Sequence, residues 1–300
     1  MIRVGHIALQ VMDIELSIEF CERILGLRVS AREAETAYLT CNQRHHELIL
    51  QEGPNVGCKH LAFEVGRADL DRIRTTLERR GIPELRFAAE LGVKEAVRFK
   101  APGGFTFEAF HGLDESEPRH YDTAGIRPRK LEHITVKSSV KDELEEFVQD
   151  LFGLRVSDRA EKEITWLRAS DEHHGFSIIR SEVDALHHYA WQVDWEAIRR
   201  VGDRLAGLGE TFVWGPGHHG IGDNYFCYFR DRAGAIVEYS ADIQRIENED
   251  SHVPRVWPNE PLSVNCWGNP PPPPEFLEAS TPLVPTAAAP VKRGEVEIAD

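Results

Sequence analysis

Along this 300-residue chain, apolar positions first alternate and then switch to helical spacing, and the switch comes in the same order in both halves. Val4 to Val11 and Leu131 to Lys137 alternate as half-buried strands do. Amphipathic helices follow: Ile14, Ile18, Phe20, Cys21, Ile24 and Leu25 in the first half; Leu144, Phe147, Val148, Leu151 and Phe152 in the second. Gly26 and Gly153 stand where C-terminal helix caps are expected. Strand patterns then cover Tyr38 to Leu50 and Thr165 to Ile179. A further strand and helix read from Leu61 to Val65 and Asp69 to Arg80, repeated at Tyr189 to Val193 and Trp195 to Leu208. Each half closes on paired strands, Ala96 to Phe110 and Tyr225 to Ser240, turned at Pro102-Gly103-Gly104 and Arg232-Ala233-Gly234. The pattern predicts an α+β fold of tandem βαβββ modules, two per domain. The expected domains are 1–113 and 130–260, joined by a polar linker over 114–129. Residues 261–300, with the proline run Pro270 to Pro274, are expected as a surface-lying or mobile tail.

The copies also share chemistry. His6, His46, His60 and Glu108 recur as His133, His174, His188 and Glu238, at offsets of 127 to 130 residues. Two neutral imidazoles and one carboxylate can hold a divalent iron on one face and leave the other open. Neighbours on a strand point to opposite faces, so only one histidine of each adjacent pair can face inward. Choosing the second member of each pair gives the same 14-residue spacing in both copies, His46 to His60 and His174 to His188. His173, His187 and His218 are then expected to face away.

Composition narrows the partners. A formal charge of −15 disfavours nucleic acid and anionic membrane surfaces. Five cysteines, Cys21, Cys41, Cys58, Cys227 and Cys266, show no paired short spacing, so neither a disulfide framework nor a zinc ribbon is expected. With no apolar targeting or membrane-spanning stretch, the expected location is cytoplasmic.

In the second half, Trp166-Leu-Arg is followed eight residues on by His174, then by His187-His188-Tyr-Ala-Trp and Gly215-Pro216-Gly217-His218-His219-Gly220. Tyr225-Phe-Cys-Tyr228-Phe, Glu238 and Trp267-Gly268-Asn269-Pro270 complete the series. On these residues the chain resembles the type I extradiol ring-cleaving catechol dioxygenases of the vicinal oxygen chelate superfamily, such as the homoprotocatechuate 2,3-dioxygenases and 2,3-dihydroxybiphenyl dioxygenases. The resemblance implies two barrel-like domains and Fe(II), with Mn(II) also compatible, held by His133, His188 and Glu238. It implies acid-base work for His174 and hydrogen bonding to substrate and oxygen by His219 and Tyr228. The expected partners are a catechol and O2, and the expected assembly is a homo-oligomer, dimer or tetramer. Trp166, Trp191, Trp214 and Thr135 are expected around the substrate pocket.

The first half is the harder case. The position matching Tyr228 is Arg98 and that matching His219 is Ala89, so a metal on His6, His60 and Glu108 would lack its helpers. A catalytically silent scaffold is the expectation there, with a second, silent metal site on His6, His60 and Glu108 as the alternative. The homoprotocatechuate enzymes place arginines on the substrate carboxylate where this chain has Trp214 and Val264, and an asparagine where it has Thr135. A neutral or aromatic-substituted catechol is therefore expected. The alternatives are a metal- or ligand-binding module without turnover, and another reaction of the superfamily such as isomerisation or thiol addition.

Overall fold

A computed structural model describes residues 2–117, 126–268 and 270–285. The first half runs β1 (Arg3–Val11), α1 (Ile14–Phe20), β2 (Arg28–Glu33), β3 (Thr36–Thr40), β4 (Leu48–Glu52), β5 (Gly57–Glu64), α2 (Arg67–Arg80), β6 (Val93–Lys100) and β7 (Thr106–Leu113). The second runs β8 (Lys130–Ser138), α3 (Lys141–Phe152), β9 (Arg155–Ala160), β10 (Ile164–Arg168), β11 (Phe176–Arg180), β12 (Ala185–Gln192), α4 (Trp195–Gly207), β13 (Trp214–His218), β14 (Tyr225–Arg230) and β15 (Ile236–Ala241). The first sheet has the order β2-β3-β4-β1-β5-β7-β6 and the second β13-β14-β15-β12-β8-β11-β10-β9, with β16 (Arg255–Trp257) added beside β9. In each sheet the opening strands of two modules pair antiparallel, β1 with β5 and β8 with β12, and parallel neighbours flank them.

Local chemistry accounts for the boundaries. Asp13 caps α1 by accepting from the Leu16 amide at 2.9 Å. The helix runs on through a π-helical turn, Cys21–Leu25, and stops at Gly26 with φ of 68°. A Cβ at Gly26 would lie 2.2 Å from the Ile126 carbonyl oxygen, so both the left-handed turn and the chain crossing require glycine there.

The helices bind the halves together. Phe152 of α3 packs against Phe63 of β5 with ring centroids 4.6 Å apart, and Phe176 of β11 lies 5.9 Å from Phe63. On the other side Phe20 of α1 meets Phe229 of β14, and the Tyr239 hydroxyl donates to the Ile24 carbonyl at 3.2 Å. One continuous core therefore contains Leu9, Phe63, Phe107, Leu151, Phe176 and Val237. Losing a ring such as Phe152, which is fully buried, costs about 3–5 kcal/mol.

Three features differ from the sequence reading. The first half's second module has two strands after its helix where three were expected; residues 83–92, which hold Glu90, are irregular, with one bridge-like position at Leu85. Tyr38 to Leu50 and Thr165 to Ile179 are each interrupted, and His46 and His174 sit in the loops between strands. Strand alternation therefore does not govern the His173–His174 pair. Within the expected tail, α5 (Pro261–Val264), α6 (Pro274–Leu277) and β17 (Thr281–Pro282) are folded. β17 pairs with β12, and Lys137 Nζ donates to the carbonyls of Leu277 at 2.8 Å and Ala279 at 3.3 Å. Residues 118–125 of the expected linker, Asn269 and the end of the tail, 286–300, lie outside the described residues. No described helix is long and apolar enough to cross a membrane.

Candidate metal centre and active site

Three neighbouring strands bring the expected ligands together. His133 stands on β8, His188 on β12 and Glu238 on β15; Ala190 pairs with both His133 and Glu238. Glu238 Oε2 lies 2.9 Å from His133 Nε2 and 3.2 Å from His188 Nε2. All three are buried, and their donor atoms lie within 4.8 Å of one another, a set suited to one divalent ion.

Three hydrogen-bonded chains fix which ring nitrogen is free. His187 Nε2–H donates to the Phe276 carbonyl at 2.9 Å. Its Nδ1 must then accept from His188 Nδ1–H, 2.6 Å away, which leaves the lone pair of His188 on Nε2, facing Glu238. His133 Nδ1–H donates to Glu132 Oε2 at 3.1 Å, again freeing Nε2. His173 Nε2–H donates to Asp158 Oδ2 at 3.3 Å and its Nδ1 accepts from His174 Nδ1–H at 3.0 Å, so His174 presents a basic Nε2. The His174 ring is 4.4 Å from that of His133.

Tyr228 lies opposite Glu238 in the β14–β15 register, which the Asp231 turn fixes by accepting from the Ala233 and Ala235 amides. The Tyr228 hydroxyl donates to His219 Nε2 at 3.0 Å, while His219 Nδ1–H donates to the Val264 carbonyl. Asn224 holds Glu238 Oε1 at 3.2 Å and Ser240 at 3.0 Å.

Burial and charge set the proton affinities. Burial opposes charge on His133, but Glu238 and Glu132 outweigh it and raise its pKa to about 9. Burial, with His133 and His173 nearby, pushes His174 well below the usual imidazole range, and burial lowers His219 to about 4. Burial would raise Glu238, yet His133 and His188 hold it well below the ordinary carboxylate range. Burial and Glu238 push the Tyr228 phenol well up.

The pocket over these groups has about 550 Å³ of empty volume, part of it open to solvent. Trp166, Trp214 and Thr135 line it as expected, with Ile164, Ile179, Ile221, Val264 and Phe276. Among the described residues its lining holds no lysine or arginine. Trp191 does not belong to it. Trp191 stands three positions beyond His188 on β12, an odd step, so its side chain turns to the fully buried core side. His187 differs in the opposite sense: expected to face away, it also lines the pocket, because the pairing register shifts between Leu186 and His188. Glu132, Asn224 and Phe276 were missed. Their signals, a carboxylate beside a ligand histidine and an aromatic residue after a proline run, are weak in sequence alone.

In the first half, His6, His60 and Glu108 also converge, and an unexpected residue, Glu90, joins them. Arg98, opposite Glu108 in register, binds Glu108 Oε2 at 2.6 Å and ion-pairs with Glu90. Burial and Glu90 raise Glu108 to about 7 despite Arg98.

Against known proteins, the family model for the Glyoxalase/Bleomycin resistance protein/Dioxygenase superfamily matches residues 3–109 and 130–239. Metapyrocatechase 2 of Cupriavidus necator is 27% identical over 93% of this chain and 92% of its own. The manganese-dependent 2,3-dihydroxybiphenyl 1,2-dioxygenase of Geobacillus genomosp. 3 is 26% identical over 76% and 80%. Among solved structures, the Mn(II)-bound glyoxalase of Novosphingobium aromaticivorans has a TM-score of 0.85 at 25% identity, covering 96% of this chain and 99% of its own. The homoprotocatechuate 2,3-dioxygenase of Arthrobacter globiformis also has a TM-score of 0.85, at 24% identity over 93% and 91%, a likeness of fold. Two matched segments, two sheets built from paired modules and a converging His, His, Glu set agree: the chain belongs to the Glyoxalase/Bleomycin resistance protein/Dioxygenase superfamily.

Proposed function

We propose that the second half catalyses extradiol cleavage of an uncharged, substituted catechol by O2 at a divalent iron centre, with manganese as the alternative ion. The observation that carries this is one apolar pocket in which His133, His188 and Glu238 converge beside a histidine, His174, whose Nε2 is free to take a proton. The donor set fits the ion: both Nε2 atoms face Glu238, the other nitrogens are committed, and a cation there would take the place of the proton that Glu238 holds on His133. When bound, the metal supplies adjacent ligand positions for both catechol oxygens and for O2, and carries electron density from the ring toward oxygen.

The chain's own groups do the rest. His174 Nε2, kept neutral by burial, accepts a catechol hydroxyl proton and returns it as the ring opens. Tyr228, placed by His219, turns its O–H from His219 Nε2 to the charge developing on the substrate oxygens. Trp166, Trp214, Val264 and Phe276 exclude water and orient the ring. One catechol and one O2 give one ring-opened product bearing both oxygen atoms, cut beside the two hydroxyls. With no lysine or arginine among the described lining residues, the pocket offers nothing there to pair with a carboxylated side arm.

Metal-loaded protein should consume O2 with alkylcatechols or dihydroxybiphenyl and far less with carboxylated catechols. His133→Ala and Glu238→Ala should abolish uptake; undiminished uptake by either variant ends the proposal. A second reading, a non-oxidative isomerisation or thiol addition at the same residues, is favoured by the likeness to the manganese-bound glyoxalase. It predicts turnover without oxygen consumption. Light scattering checks the homo-oligomer: a dimer or tetramer mass supports it and a monomer mass ends it.

A further inference from the structure

The first half's cluster is more than a worn copy of the second. His6 Nε2 lies 3.0 Å from His60 Nε2, 3.1 Å from Glu90 Oε2 and 3.6 Å from Glu108 Oε1; His60 Nε2 lies 3.3 Å from Glu90 Oε1 and 3.3 Å from the Arg98 guanidinium. Donors about 2.1 Å from one ion stand about 3.0 Å apart in octahedral and about 3.4 Å apart in tetrahedral geometry. The separations fall where the edges of a small coordination shell would.

The oxygens divide into two sets. Arg98 engages Glu108 Oε2 and Glu90 Oε1. The other oxygen of each carboxylate, Glu108 Oε1 and Glu90 Oε2, is buried, has no hydrogen-bond partner and faces His6. Glu90 Oε2 sits 3.1 Å from His6 Nε2 without an aligned hydrogen bond, a buried carboxylate oxygen that a cation held with the ring would satisfy. The buried Nε2 of His46 also lacks a partner and lies 4.0 Å from the same oxygen. Arg98 then does what outer hydrogen-bonding partners do for ligating carboxylates: it aims them.

We propose that His6, His60, Glu90 and Glu108 form a second divalent-cation site, of the closed structural kind, with Arg98 orienting its carboxylates. Glu90 supplies the fourth donor that the second half's centre lacks. In a tetrahedral shell four protein donors leave no open position for a catechol, so this site holds the first sheet together and does not turn over. The inference is independent of the dioxygenase reading.

The test counts metal. Full-length protein is stripped with chelator, reloaded with Zn(II) or Mn(II), desalted and measured by plasma mass spectrometry, with His133→Ala and the double variant Glu90→Gln, Glu108→Gln alongside. Two ions per wild-type chain, one in His133→Ala and one in the double variant are expected. One ion in the wild type and none in His133→Ala overturns this site while leaving the second-half centre standing; one ion in both the wild type and the double variant also overturns it. If the double variant does not fold, a melting temperature of His133→Ala that rises on metal addition supports the site and an unchanged one refutes it.

Discussion

His187 is not itself an expected ligand, yet its removal should loosen the metal. It accepts from His188 Nδ1–H at 2.6 Å and passes its own proton to the Phe276 carbonyl at 2.9 Å. His187→Phe keeps a ring of similar breadth but removes the acceptor, stranding a buried N–H at a cost of about 1–3 kcal/mol. The ring of His188 can then flip or change tautomer, so its Nε2 lone pair no longer reliably faces Glu238. Outer partners of ligating histidines are worth roughly 10–100-fold in metal affinity, or about 1.4–2.7 kcal/mol. His187→Gln is the control, since its side-chain carbonyl can accept from His188 and its amide can donate to Phe276. Competitive Mn(II) titration against a chelator should rank wild type above His187→Gln, with His187→Phe weakest. Equal affinity for wild type and a folded His187→Phe would refute the relay.

Other consequences can be measured independently. His173→Leu breaks the Asp158–His173–His174 chain and should lower kcat tenfold or more with metal content unchanged, as read by oxygen uptake and metal analysis; an unaltered kcat contradicts it. Phe276→Ala removes a pocket wall whose ring lies 4.5 Å from that of Tyr228 and 4.9 Å from that of Trp214, and should raise KM for an apolar-substituted catechol about tenfold; an unchanged KM refutes that placement. Cys21, Cys41, Cys58 and Cys227 are buried and Cys266 is exposed, so a thiol reagent should label one group in native protein and five after denaturation.

The repeat was legible because apolar spacing and ligand chemistry are both local. β1 and β8, their helices and the order of His, His and Glu could be read from single stretches. What escaped depends on contacts far apart in sequence or on one-residue irregularities. Trp191 is expected at the pocket, but parity along β12 sends it to the core. The register shift beside His188 brings His187 to the pocket, and nothing in the sequence marks that shift. Glu90 lies in a segment without periodicity, and only the register of Arg98 with Glu108 draws it into the cluster. Phe276 reaches the pocket because Lys137 anchors the chain around it through backbone carbonyls, which no side-chain pattern reveals.

The central claim is that the second half inserts both atoms of O2 into an uncharged catechol. Protein reconstituted anaerobically with Fe(II), and in parallel with Mn(II), should be given an alkylcatechol under ¹⁸O₂ and the product weighed by mass spectrometry. A ring-opened product carrying two labelled oxygens, lost in Glu238→Ala, is the predicted result. Fully metal-loaded wild-type protein that consumes no O2 and forms no labelled product with any catechol tried would contradict it.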